Sequence, residues 1–238
     1  MWIASQWRII PHSFVVMLAL VLMTTLASGK SGTQCWRSAE QARAAQVPAA
    51  PGAVPVTAAH APIWKTITIG EYKGANAVRA AIDAAPCPIA MGDWADEILG
   101  RPAFPFSRAK LDIDLVVVSA AELGFGPDGA SLRDIYARAD TFGLDLCPAE
   151  VGPILRLNYL DQPIGEFLHV AMRPVATYGG ELVDFTLGNG GSALLLIGGD
   201  ANPDVAFTGA VRFVFMRART DSVASGVVPN AGNALVKR

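Results

Sequence analysis

Apolar and polar positions change period several times along this chain. Trp64-Lys-Thr-Ile-Thr-Ile69 alternates Lys65, Thr66 and Thr68 with Ile67 and Ile69, the period of a half-buried strand. After it, Val78, Ala81, Ile82 and Ala85 fall on one helical face, with Asn76 placed to cap and Pro86 and Pro88 to stop the helix. Asp93 and Asp96 open a second short helix carrying Trp94, Ile98 and Leu99, which Gly100 and Pro102 close. Leu111 to Val118 is rich in β-branched residues and predicts a central strand. The Ser119-Ala-Ala-Glu122 that follows has capping-box spacing. Ser131 to Phe142 predicts the clearest helix, with Ser131 as cap, Leu132, Ile135, Tyr136 and Ala139 as its stripe, and Gly143 at its end.

The second half reads as strands joined by turns. Ile154 to Tyr159 and Glu166 to Met172 flank Asp161-Gln-Pro-Ile-Gly165, where Pro fixes one φ and Gly permits a positive one. Leu182 to Leu187 follows Tyr178-Gly-Gly180. Asn189-Gly-Gly191 is a hairpin signal before Ser192 to Gly198, and Arg212 to Arg217 is the last strand. Helices first and paired strands later predict an α+β domain over residues 64–219, ending in an antiparallel β-meander, rather than a parallel doubly wound sheet.

The ends of the chain have a different texture. Fourteen uncharged residues, Phe14 to Ala27, follow a polar start with Arg8 and give way to Ser28-Gly29-Lys30. That is the layout of a secretory signal peptide, and it falls short of the roughly 20 apolar residues of a spanning helix. Residues 1–29 are therefore expected to be a cleaved signal or a retained anchor, placing the protein in the periplasm, outside the cell or at the inner membrane. The alternative is a cytoplasmic protein starting near Trp64. Any membrane contact rests on residues 14–27 remaining uncleaved. Residues 30–63, with Pro48, Pro51, Pro55 and Pro62 among Ala and Val, predict a disordered or polyproline-like linker, and residues 220–238 a flexible tail.

Charge narrows the partners. Within residues 64–219, 13 Lys and Arg stand against 19 Asp and Glu, a net of −6, which the near-neutral whole chain hides. Such a domain repels phosphate backbones, so nucleic acid is not expected. The three cysteines, Cys35, Cys87 and Cys147, include no Cys-x-x-Cys pair, and His12, His60 and His169 lie far apart, so neither zinc nor another cofactor is expected. Cys87 and Cys147 either pair in an oxidising compartment or remain small buried hydrophobes.

The segment Leu146-Cys-Pro-Ala-Glu-Val-Gly-Pro-Ile-Leu-Arg-Leu-Asn-Tyr-Leu-Asp-Gln-Pro-Ile-Gly-Glu166 resembles a family of small bacterial proteins with no assigned activity. Asp96 to Phe104, Asp114 to Gly124, Asp134 to Arg138 and Arg212 to Phe215 fit the same family. The likeness spans roughly Trp64 to Arg217 and implies no catalytic residues.

Candidate chemistry concentrates in the same stretch: Glu150, Arg156, Tyr159, Asp161, Gln162, Glu166 and His169. Two carboxylates and a histidine around one hairpin suit acid–base work if burial tunes them. Strand alternation, however, sends Glu166 and His169 to opposite faces. Equally, Arg156 pairs with Asp161 or Glu166, and Asp161 and Gln162 bond turn amides, in a purely structural arrangement. Ser192 lies in Gly-Gly-Ser-Ala-Leu and lacks the Gly-x-Ser-x-Gly elbow that exposes a serine nucleophile. Asp200, Asn202 and Asp204 alternate like part of a calcium loop, without its Gly and terminal Glu. A non-enzymatic binding or interaction domain is the expected role, with a small hydrolase using Glu150, Asp161 and Glu166 as its rival.

Overall fold

The structure, a computed structural model, describes residues 61–218. The expected leader at 1–29, nearly all of the linker, Cys35 and the tail at 220–238 lie outside the described residues. No helix among the described residues is long and apolar enough to cross a membrane.

The first half follows local sequence closely. β1 (Lys65–Ile69) leads to α1 (Ala75–Asp83), which buries Val78 and Ile82. Gly74 rather than Asn76 occupies its cap position, leaving Asn76 inside the first turn. β2 (Ile89–Met91) precedes α2 (Asp93–Leu99), where Asp93 and Asp96 occupy the first turn and complement the helix dipole. Arg79 Nε donates to Asp96 Oδ1 at 2.6 Å, joining α1 to α2. After β3 (Leu111–Ser119), Ser119 and Glu122 make the reciprocal bonds of a capping box, but only a run of turns follows. β4 (Ala130–Ser131) runs into α3 (Leu132–Thr141), whose cap Ser131 Oγ accepts from the Asp134 amide at 3.2 Å.

The second half departs from expectation in two places. After β5 (Leu144–Asp145), residues expected as a strand at Ile154 to Tyr159 instead continue a helix, α4 (Val151–Asn158). Its Pro153 lies in the first turn, where a missing amide costs nothing, and its run from Val151 to Arg156 is buried. A short helix buried all round has the same apolar run as a buried strand. Next come β6 (Phe167–Val170), β7 (Val175–Ala176), β8 (Leu182–Asn189), β9 (Leu194–Asp200), β10 (Ala206–Phe207) and β11 (Arg212–Arg217).

These strands do not form an uninterrupted meander. The sheet runs β1-β3-β11-β6-β8-β9-β2, with β5 beside β11 and β7 beside β8. The β8–β9 hairpin forms at Asn189-Gly-Gly191, but β11 crosses back between β3 and β6 and lies parallel to β6. β2 pairs parallel to β9 at the far edge. The architecture is α+β with a mixed nine-stranded sheet.

Alternation along the strands separates two cores. Ile113, Leu115, Leu168, Val170, Phe185, Leu187 and Val214 face α1, α2 and α4, while Val116, Val118, Phe213 and Phe215 face Leu132, Ile135 and Ala139 of α3. The two-stranded β4–β10 ribbon brings Phe207 against this second face, 4.9 Å from the His169 ring. Cys147 is a free thiol, buried with its S–H toward the Val214 carbonyl, whereas Cys87 is disulfide-bonded; the two do not pair with each other. Burial pushes the Cys147 thiol pKa up, so it is inert as a nucleophile at neutral pH.

Candidate functional site

The candidate site grows out of the turn that links α4 to β6. Gly165 has φ +82° there, and its amide donates to the Asn189 carbonyl at 2.9 Å. Asn189 Nδ2 donates to the Gln162 carbonyl at 2.6 Å, and Gln162 Nε2 reaches the carbonyls of Glu166 and Leu187 at 3.2 and 3.3 Å. Arg156, fully buried at the end of α4, is the hub. Its Nη1 donates to Gln162 Oε1 at 2.5 Å, to the Gly188 carbonyl at 3.2 Å and to the Leu195 carbonyl at 3.4 Å, and its Nη2 donates to the Tyr159 carbonyl. The expected pairing with Asp161 or Glu166 is thus replaced by carbonyl oxygens and one amide side chain. Burial lowers the Arg156 pKa to about 10, so it remains cationic at neutral pH.

A second chain leads outward. Tyr159, only 6 % exposed, packs edge-on against Trp64 and donates its hydroxyl to Glu166 Oε2 at 2.7 Å. Arg212 Nη1, at the start of β11, donates to Glu166 Oε1 at 2.5 Å. Burial, then Glu166, raises the Tyr159 pKa and keeps its proton in place. Glu166 is thereby held from two sides, and Arg212, with 41 % of its side chain exposed, is presented to solvent.

A hollow of about 470 Å³ opens beside this pair, lined by Pro163, Ile164, Glu166, Phe167, His169 and Arg212 among others. Glu166 and His169 line it together, contrary to the opposite faces expected from alternation. Glu166 precedes β6 and belongs to the turn, so the strand's period does not govern it. Phe167 is 46 % exposed and Ile164 39 %. Phe167 lies across Gly188 on the neighbouring strand, where an added Cβ would come within 2.5 Å of its ring. The ring's position therefore depends on that glycine.

Behind His169 stands a group that sequence reading missed. Asp184 on β8 is fully buried, and among the described residues neither carboxylate oxygen has a hydrogen-bond partner. His169 Nδ1 is 3.9 Å from Asp184 Oδ2 and 3.0 Å from Thr186 Oγ1. Burial raises the Asp184 pKa, with His169 opposing. As pH rises, the unfolded chain then releases this proton before the folded one does, so stability falls across the window between the two pKa values and stays lower above it. Asp184→Asn removes that titration. Its advantage in melting temperature over the wild type should grow as pH rises from about 4 toward neutrality. A shrinking advantage would mean that the fold stabilises the Asp184 carboxylate, and a flat one that folding leaves its proton affinity unchanged; either overturns the raised pKa.

The remaining candidates serve elsewhere. Glu150, fully buried, accepts from the amides of Gly70 at 2.9 Å and Ser107 at 2.8 Å, tying two loops to the start of α4. Asp161 is exposed on the turn. Asp200 and Asn202 accept from turn amides two residues on, and Asp204 pairs with Arg133, so their oxygens do not converge. Among the described residues no cluster of three His, Cys, Asp or Glu is placed to hold a metal ion. Arg212 and Asp184 left one sequence signal each: a charge opening the last strand, and a lone acid inside the apolar run Leu182-Val-Asp-Phe-Thr-Leu187. Comparison with family models, curated proteins and solved structures finds no match to this chain.

Proposed function

We propose that this domain is a non-enzymatic binding module whose ligand site is the hollow beside Arg212. One observation carries the reading: exposed Ile164 and Phe167 flank a charged pair that Tyr159 already holds in place. A concave site of this volume, mostly apolar with a few fixed polar groups, is the usual form of a small-molecule pocket. The hydrolase reading loses support because Glu150 is committed to two loop amides and Asp161 lies on the surface, leaving Glu166 without the other two. Export, or anchoring at the inner membrane, belongs to the proposal on the strength of the apolar run at residues 14–27. The N-terminal residue of the protein in each cell fraction tests it: a start near Ser28 or Lys30 supports export, and a cytosolic start near Trp64 overturns it.

The pocket itself is tested by ligand-detected NMR of the full-length protein against an unbiased library of small molecules. Hits should compete with one another and vanish in Phe167→Ala. Hits that survive this substitution, or a library without hits, would overturn the assignment of the site.

A further inference from the structure

We infer that the hollow takes a small monocarboxylic acid with an apolar or aromatic body, its carboxylate on Arg212 and its body over Phe167 and Ile164. The inference rests on the proposed binding role and adds the charge and shape of the ligand.

Glu166 is the one carboxylate in the lining of the hollow, its side chain only 8 % exposed. Tyr159 and Arg212 hold its two oxygens, so it serves as a fixed strut for the guanidinium. Arg212 gives only Nη1 to that strut among the described residues, and 41 % of its side chain faces solvent. A guanidinium carries five N–H groups in a planar fork that fits carboxylates well, and here part of the fork stays open. Holding it in advance lowers the ordering cost of a long side chain on binding.

His169 supplies the second polar contact. Its Nδ1 is engaged with Thr186 Oγ1 at 3.0 Å, which leaves Nε2 as the ring nitrogen for a ligand. Phe207 and Phe213 hold the imidazole from two sides, with ring centroids 4.9 and 5.6 Å away.

The rest of the lining is Pro163, Ile164, Phe167, Ala210 and Val211, with Gly165 at the turn, a surface for an uncharged body. Polyanions fit less well: one open guanidinium already shares a carboxylate, and residues 64–219 carry a net charge of −6. An ammonium group would meet Arg212 without a free carboxylate to receive it. One negative charge on an apolar body is the chemistry left.

The full-length protein can be titrated with 3-phenylpropionate, 3-phenylpropylamine and 3-phenylpropanol, three ligands with one body and three head groups. Chemical shifts of the residues lining the hollow report binding. The carboxylate should bind at least about tenfold more tightly than the amine or the alcohol. Arg212→Gln should abolish that preference and Arg212→Lys should keep part of it. Phe167→Ala should weaken whatever binding the three compounds show. If the amine or the alcohol binds as well as the acid, the anion inference falls and the binding site stands. If no compound shifts the lining residues, both fall. Because the head-group series is read on the wild type, the inference stays testable even if an Arg212 variant does not fold.

Discussion

Replacing Arg156 with Met is expected to cost about 3–5 kcal/mol of stability, because it strips one donor from four buried oxygens. The side chain has no solvent exposure, and its guanidinium bonds four separate oxygens: Gln162 Oε1 and the carbonyls of Tyr159, Gly188 and Leu195. Those oxygens belong to the end of α4, the following turn, β8 and β9. Methionine fills much of the volume but leaves them without that donor, in a place water does not reach, and unsatisfied buried groups cost about 1–3 kcal/mol each. The sum is tempered because carbonyls can keep a second partner. Lysine keeps the charge but not the planar fork, so Arg156→Lys should fall between. Urea denaturation with an unchanged m-value checks the estimate. A loss below about 1 kcal/mol would show that the buried charge costs nearly as much as its bonds return.

Gly152→Ala is the second large effect, and its sign separates two physical arguments. Alanine is favoured over glycine by about 1 kcal/mol inside a helix and by less in the first turn, where Gly152 lies, so propensity alone predicts a small gain. Packing predicts the reverse. An added Cβ at Gly152 would lie 2.6 Å from Phe185 Cβ and Cγ, and Phe185 is itself fully buried on β8. Neither partner has room to retreat, and overpacking of this kind costs about 1–3 kcal/mol. The expected net is a loss of about 1–2 kcal/mol. Because α4 would be pushed from the sheet, Arg156 and Tyr159 should move with it, weakening ligand binding even though Gly152 does not line the hollow. A gain in stability would mean that α4 floats on the sheet and that its close approach is not required.

The elements that could be read from the sequence are those whose signals are local. Ser131 with Asp134, the stripe through Ile135 and Ala139, and the Asn189-Gly-Gly191 turn each carry their own cap, period or φ requirement. α4 was not legible as a helix, because Val151-Gly-Pro-Ile-Leu has no polar face to reveal a period and holds two residues that normally interrupt helices. The cover supplied by α1, β1, β8 and β9 decides its conformation. The candidate site was half legible. Tyr159, Gln162 and Glu166 stood out as polar residues around one turn, but Arg212 lies 46 residues from Glu166 in sequence, and Asp184 enters through strand pairing. β2, three residues long, has no period of its own and exists because β9 offers it an edge.

The position of β11 also bears on when the chain can fold during synthesis. β1 and β3 come early, β6, β8 and β9 come late, and β11 is the piece between them. Until Arg217 has left the ribosome, β3 and β6 each present an open edge, and the apolar surface meant for Phe213, Val214 and Phe215 lacks its cover. Closure therefore waits for β11, made after every other strand of the sheet, and demands contacts far apart in sequence, which slows folding. A stop codon placed before Arg212 would leave β1 and β3 joined to β6, β8 and β9 only through the helices packed on one face, α4 above all, with the strand between them missing.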